Sequence, residues 1–394
     1  MVAVGLERLG ETLARGAGKG VRWGLLYNAA SVDRHLRSSR DVVAQALGVG
    51  KKGGLAALFG PQHGVDADVQ DNMVESPHGV DAKLGVPVWS LYSKTRKPTP
   101  EMLEGIDALL VDLQDVGARV YTFAWTLRLA MEACGEADVR VVVLDRPNPL
   151  GGAAEGNRLR AEWASFVGLE PVPMRHGLTL GELARWFRDC RGVACDLEVV
   201  PMAGWRRSMR WSGTGRPWVL PSPNMPTPDT ALVYPGTVLL EGTTASEGRG
   251  TTRPFEIFGA PWVDPEALAE ELNRLGLPGV VFRPLVFVPA FQKWAGRPCG
   301  GTQIHVTDPA RFRPYATGLR ILSTLWRTGC DRGFGWRAPP YEYETRRLPI
   351  HLLLGDVGVR RALEGEADLE ELEAGWEADL EAWREEVAPV LLYR

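Results

Sequence analysis

Polar groups able to do chemistry cluster in three short strings, each following an apolar run: Gly60-Pro61-Gln62-His63-Gly64, Asp112-Leu113-Gln114-Asp115-Val116-Gly117 and Asp145-Arg146-Pro147-Asn148-Pro149. In an open parallel sheet, ligands bind beyond the carboxyl ends of the strands, so these strings point to one edge of one site. For Asp115 and Asp145 singly, capping of the following turn is an equally good reading. Two longer polar stretches join them. Residues 66–75 carry Asp66, Asp68, Asp71 and Glu75, and residues 242–254 interleave Glu247, Arg249 and Arg253 with threonine and serine. Long loops of this kind inside a compact domain are usually functional. The second suits a sugar, since hydroxyls satisfy ring hydroxyls and two arginines grip a carboxylate; an ion-pair network is the competing reading.

The acidic stretch, with His63 or His78, raises a metal site, but it lacks the glycine of a calcium loop, and no HExxH or cysteine-rich pattern exists elsewhere. No metal is expected. Walker A, GxGxxG after the first strand and GxSxG are all absent; the glycines between 16 and 20 precede the strand they would have to follow. No cofactor is expected, and a nicotinamide-dependent enzyme is disfavoured.

The elements that must hold these strings are legible as mostly apolar runs at 21–27, 55–59, 86–92, 106–113 and 139–144, the signature of strands buried on both faces. Helices are signalled between them by Thr99-Pro100-Glu101 and by helical spacing over 118–137. The pattern predicts a Rossmann-like, doubly wound, mostly parallel sheet in an N-terminal domain over 1–222, followed by a smaller mixed α+β domain over 223–394. Thr179 with Glu182 forms a capping box, and 197–201 reads as a strand. The proline-rich stretch 220–234 reads as irregular and marks the boundary. Helix starts are expected at Asp264-Pro265 and Asp308-Pro309, and an acidic helix over 366–384 whose Leu369, Leu372, Trp376, Leu380 and Trp383 face the core.

Composition narrows the class. The chain has 394 residues, 45% hydrophobic and 24% charged, a globular profile. Its net charge of -4, without a basic run, argues against nucleic acid. No stretch is long and apolar enough for a membrane, and the charged amphipathic beginning reads as cytoplasmic rather than as an export signal. Five cysteines at irregular spacing read as reduced and mostly buried. Of 14 tryptophans, Trp205, Trp211, Trp218 and Trp262 stand among Gly, Pro and Arg and are candidates for a ligand surface. The oligomeric state is not legible.

The strings at 58–64, 87–92 with 94–102, 112–119, 144–149, 222–226 and 246–252 together resemble the NamZ-type exo-β-N-acetylmuramidases, glycoside hydrolase family 171, from about Val21 to Tyr393. The resemblance implies a Rossmann-like domain, a C-terminal domain, an active-site cleft between them, and release of terminal N-acetylmuramic acid from peptidoglycan fragments for recycling, with a saccharide or muropeptide as the substrate. It also implies a catalytic glutamate where this chain has Gln62. An amide can neither donate a proton at useful pKa nor carry negative charge. The expected catalytic carboxyls are therefore Glu75, Asp115 and Glu247, with Gln62 orienting the substrate or a water. The expected substrate-binding side chains are His63, Arg119, Arg146, Asn148, His176, Asn224, Arg249 and Arg253. A non-hydrolytic muropeptide-binding protein that has lost the glutamate stays open as the alternative.

Overall fold

The computed structural model describes residues 1–13, 20–50, 52–70 and 73–394. Helix α1 (Leu9–Leu13) leads into β1 (Arg22–Tyr27), α2 (Ser39–Leu47), β2 (Gly54–Gly60), the two-residue β3 (Gly79–Val80) and β4 (Pro87–Ser90). Then come α3 (Pro100–Leu103), β5 (Ala108–Asp112), α4 (Phe123–Glu136) and β6 (Arg140–Leu144). The pair β7 (Glu155–Arg158) and β8 (Pro173–Arg175), α5 (Leu180–Asp189) and β9 (Leu197–Val200) complete the first half. One sheet runs in the order β3-β4-β2-β1-β5-β6-β9, parallel throughout except for β3, which pairs antiparallel with β4. The chain winds outward from β1 through β2 and β4, then from β5 through β6 and β9, so the order reverses between β1 and β5.

That sheet forms because its strands have nothing polar to present to water. Every residue of β2 and β5 is buried, and each large apolar side chain so removed contributes about 1.5–3 kcal/mol. Helix α5 starts at the expected capping box, Thr179 Oγ1 accepting from Glu182 N–H and Glu182 from Thr179 N–H. Helix α3 has Pro100 in its first turn as expected but lasts only four residues.

The second half holds α6 (Pro228–Thr237), β10 (Ile257–Ala260), α7 (Pro265–Arg274), β11 (Val280–Phe287), β12 (Cys299–Val306), α8 (Pro314–Gly329), α9 (Pro349–Leu354), α10 (Val357–Leu363) and α11 (Leu369–Val387). Strands β10-β12-β11 form a separate antiparallel sheet. The apolar core is continuous across residue 222: Trp383 of α11 lies 5.1 Å from Trp186 of α5, and its indole N–H donates to His176 O at 3.0 Å.

Four expectations are corrected. Helix α4 begins at Phe123, not near 118, because Ala118 bridges Arg175 and Arg119 N–H donates to Met174 O, which ties this point to β8 and leaves 119–122 as the turn that leads into the helix. The stretch 220–234 is not irregular throughout: Thr227 caps α6 by accepting from Thr230 N–H, with Pro228 in the first turn where no donor is needed. Asp308 caps only a turn, accepting from Ala310 N–H, and α8 starts at Pro314. The cysteines are unpaired, yet only Cys134 and Cys299 are buried, while Cys190 and Cys330 are exposed. Among the described residues no helix is long and apolar enough to cross a membrane.

Candidate active site

Strand ends bring the first half of a cavity together. After β2 a tight turn, Gly64 N–H donating to Pro61 O, places Gln62 at 6% exposure with His63 beside it at φ 72°. After β5, Gly117 lies so close to Asn148 that a Cβ there would sit 2.3 Å from its amide oxygen, so the chain passes this point only as glycine and delivers Thr122 to the cavity. The second half contributes two carboxyls. Glu241 sits on a 3₁₀ turn (Val238–Gly242) that continues α6, and Glu342 on a tight loop in which Tyr341 and Glu344 exchange both backbone hydrogen bonds.

Gln62 is the hinge of the contacts. Its carbonyl oxygen accepts from Thr122 Oγ1 at 2.6 Å, and its amide nitrogen donates to Glu342 Oε1 and to Tyr92 OH, each at 3.1 Å. Tyr92 OH donates to Glu342 Oε2 at 2.6 Å and accepts from Met73 N–H at 3.1 Å. Burial pushes the Glu342 carboxyl up to about 7, opposed by the Tyr92 and Gln62 donors and reinforced by the charge of Glu241. Glu342 (φ 46°), His63 and Phe255 (φ 63°) all line the cavity with left-handed backbone; such strain gathers at functional sites.

Across the cavity stands a buried ion-pair network. Arg249 donates to Glu241 Oε1 from Nη2 at 2.6 Å and from Nε at 3.2 Å, and its Nε lies 3.4 Å from Glu247 Oε1. Lys293 donates to Glu247 Oε2 at 2.8 Å, and Tyr341 OH to Glu241 Oε2 at 2.6 Å. The two cations balance the two carboxylates. Arg249 Nη1 is left over: it is buried and has no hydrogen-bond partner among the described residues. The cavity is partly open to solvent and holds about 40 Å³, room for a few waters. A groove of about 420 Å³ at Trp262, Glu271, Arg327 and Asp331 is roomier, but it lies away from the strand ends, whereas the small cavity gathers buried carboxyls, among them Glu342 with its raised pKa; chemistry favours the latter.

Residues 23–229 match the N-terminal domain, and residues 232–393 the C-terminal domain, of the exo-β-N-acetylmuramidase NamZ. The chain belongs to this family. It is 50% identical over 308 residues to the peptidoglycan β-N-acetylmuramidase NamZ of Bacillus subtilis, a span covering 78% of this chain and 73% of that protein. Two crystal structures of DUF1343 family proteins from Bacteroides fragilis share the fold over 100% of this chain and 99% of theirs. One has a TM-score of 0.87 at 35% identity, the other 0.78 at 27%.

Within this family fold the residues singled out by sequence divide sharply. Gln62, His63, Asn224 and Arg249 line the cavity. Asn224 donates to Gln70 O at 3.0 Å, and His63 Nδ1 lies 2.7 Å from Val69 O. Glu247 is buried behind Arg249. Asp115 is buried too, accepts from Gly117 N–H at 2.6 Å, and is pushed to about 7 by burial. The others lie elsewhere. Arg119 is fully buried and donates to the carbonyls of Asn157, Val172, Leu353 and Leu354; Arg146 is paired with Asp112 at 2.5 Å; Asn148 bridges Leu178 O and Leu150 N–H. His176 accepts from Leu178 N–H, and burial drives its pKa down to about 3. Arg253 is half exposed and pairs with Glu256, and Glu75 is exposed outside the residues lining the cavity. Asp71 lies outside the described residues, among which no group of three or more His, Cys, Asp or Glu side chains is arranged to hold a metal.

Three hydroxyls of 242–254 bond back to the backbone, Thr243, Thr244 and Thr251 donating to Leu240 O, Gly333 O and Gly248 O, beside the ion pairs of Glu247 and Arg249. Trp205 packs edge-on against Tyr393, and Trp211 against Trp218, away from the cavity. Sequence reasoning missed Glu241, Glu342, Tyr92, Thr122 and Tyr341. The signal available for Glu342 was Pro339-Pro340-Tyr341-Glu342-Tyr343, an acid between aromatics in a non-periodic, proline-punctuated stretch.

Proposed function

We infer that this chain is an exo-acting glycoside hydrolase that releases N-acetylmuramic acid from the non-reducing ends of peptidoglycan fragments. The observation that carries the reading is the cavity at the strand ends in which two buried carboxyls, Glu241 and Glu342, stand with different partners, one ion-paired to Arg249 and the other bonded to an amide and a phenol. Glycosidases need two carboxyl environments, one that keeps a proton and one that keeps a charge. Family membership and the 50% identical muramidase agree with it. The binding-only alternative loses its motive, because residue 342 supplies a carboxyl beside the amide at 62. Arg249 Nη1 is the donor we assign to the lactyl carboxylate of muramic acid, a group that distinguishes this sugar from N-acetylglucosamine.

The setting we propose is cytoplasmic recycling of wall fragments, with which five unpaired cysteines, two of them exposed, agree, since reducing compartments tolerate them. The deciding experiment is turnover of a β-linked N-acetylmuramic acid chromogenic substrate beside its N-acetylglucosamine analogue. Turnover of the first in preference to the second is expected. No turnover of either by folded protein would sink the reading.

A further inference from the structure

We propose that Glu342 is the proton donor of this glycosidase, with Tyr92 and Gln62 as the residues that position it, and that it holds this role because residue 62 is an amide. The inference rests on the glycosidase reading above and adds which group moves the proton.

A count of donors and acceptors leads to it. The Gln62 amide lies with its carbonyl oxygen on Thr122 Oγ1 and its nitrogen toward Glu342 and Tyr92. The amide's two hydrogens are then both used, one on Glu342 Oε1 and one on Tyr92 OH. The Tyr92 oxygen accepts from that amide and from Met73 N–H, which leaves its own hydrogen to point at Glu342 Oε2, 2.6 Å away. Each carboxyl oxygen thus accepts one hydrogen bond, Oε2 from the phenol at 2.6 Å and Oε1 from the amide at 3.1 Å. We place the proton of the neutral carboxyl on Oε1, the oxygen with the longer contact, on a residue that lines the cavity. Burial holds that carboxyl protonated up to about pH 7, and Tyr92, pushed far above the ordinary phenol value, remains a donor throughout.

A glutamate at position 62 would place two carboxyls 3.1 Å apart, a pair that must share one proton. The amide removes that ambiguity. In the reaction the Oε1–H bond breaks and its proton passes to the glycosidic oxygen. The bond from that oxygen to the anomeric carbon breaks with it, the electron pair staying on oxygen. Water then bonds through its oxygen to the anomeric carbon and returns a proton to Glu342, so one water is consumed and the carboxyl is restored. The Glu241 carboxylate, across the cavity with Arg249, supplies negative charge to the electron-poor sugar.

The test compares two leaving groups. Glu342→Gln should lose about a thousandfold in kcat on a muramic acid disaccharide, whose leaving oxygen must be protonated, and less than about tenfold on a dinitrophenyl muramide, whose leaving group departs as a stable anion. Equal loss on both substrates, or loss on neither, overturns the assignment. Tyr92→Phe gives an independent readout: removing a donor to the carboxylate should move the alkaline limb of kcat/KM to higher pH, and Gln62→Glu should move it the same way. Unmoved limbs overturn the positioning roles. If the parent enzyme turns over neither substrate, the functional reading beneath the proposal has failed instead.

Discussion

Asp145 at the end of β6 and Glu342 in the 341–344 loop are both fully buried carboxyls, and burial pushes both up to about 7. Their surroundings differ in kind. Asp145 accepts from Arg146 N–H and Gly181 N–H on one oxygen and from Thr179 and Tyr393 hydroxyls on the other, so four donors pin it between strand, helix α5 and the chain's end. Glu342 has donors from Gln62 and Tyr92 and faces a cavity. A raised carboxyl is thus no mark of catalysis by itself; what separates a brace from an acid is fewer donors on its oxygens and a cavity into which its proton can go.

The sharpest way to break this contrast is to swap amides into both places. Glu342→Gln should remove about a thousandfold of disaccharide turnover while the folded state is kept. Asp145→Asn should do the reverse, losing on the order of 2 kcal/mol of stability above pH 7, where the carboxylate accepts from four donors and an amide NH2 would face two of them, with kcat unchanged. Urea unfolding and initial rates on the same preparations check both. A loss of turnover with Asp145→Asn equal to that of Glu342→Gln would erase the distinction.

The two knots also predict a common pH dependence of stability. Each carboxyl binds its proton more tightly folded than unfolded, so between about pH 4 and pH 7 the folded state carries protons that the unfolded chain has released. Stability from these groups is fully present below the unfolded values and is lost as pH rises toward 7. For Glu342 alone the loss is about 3 kcal/mol. In Glu342→Gln the decline should be shallower by that amount, measured by denaturant titration at a series of pH values; an unchanged slope would show that the carboxyl is ionised across the range.

A smaller effect is expected at Tyr393, whose hydroxyl donates to Asp145 and accepts from Met202 N–H at 2.9 Å. Tyr393→Phe leaves that buried amide without a partner and should cost about 1–2 kcal/mol with activity intact. Loss of turnover in this variant would mean that docking of the chain's end shapes the cavity.

These contrasts explain what could be read from residues alone. The strands 55–59 and 106–113 were legible because a strand buried on both faces has to be apolar, and the caps at Thr179 and Asp264 because capping is local chemistry. Gln62, His63, Asn224 and Arg249 were reached through their loops. Arg119, Arg146, Asn148 and His176 stood in equally suggestive places, yet their side chains turn inward to backbone carbonyls, an N–H and, for Arg146, Asp112; sequence reports that a residue is polar, not which way it faces. Glu241 and Glu342 escaped because they sit on a 3₁₀ turn and a strained loop of the second half, where no strand-end rule applies, and the partners of Glu342, Gln62 and Tyr92, lie in the first half of the chain.

The least effect, and the most informative small one, is expected at Glu75. It was attractive as a carboxyl in a long acidic stretch, but it is exposed and outside the residues lining the cavity. Solvated carboxylates that touch no reacting atom change rates little, so Glu75→Gln should leave kcat/KM within about twofold. The position of this stretch beside the cavity gives that number its meaning. Met73, two residues before Glu75, already donates to Tyr92 OH, so movement of this stretch would reach the Glu342 knot directly. A tenfold or greater loss confined to kcat would therefore show that the acidic stretch folds over bound substrate and brings Glu75 to it, joining a region that looks peripheral to the chemistry at Glu342.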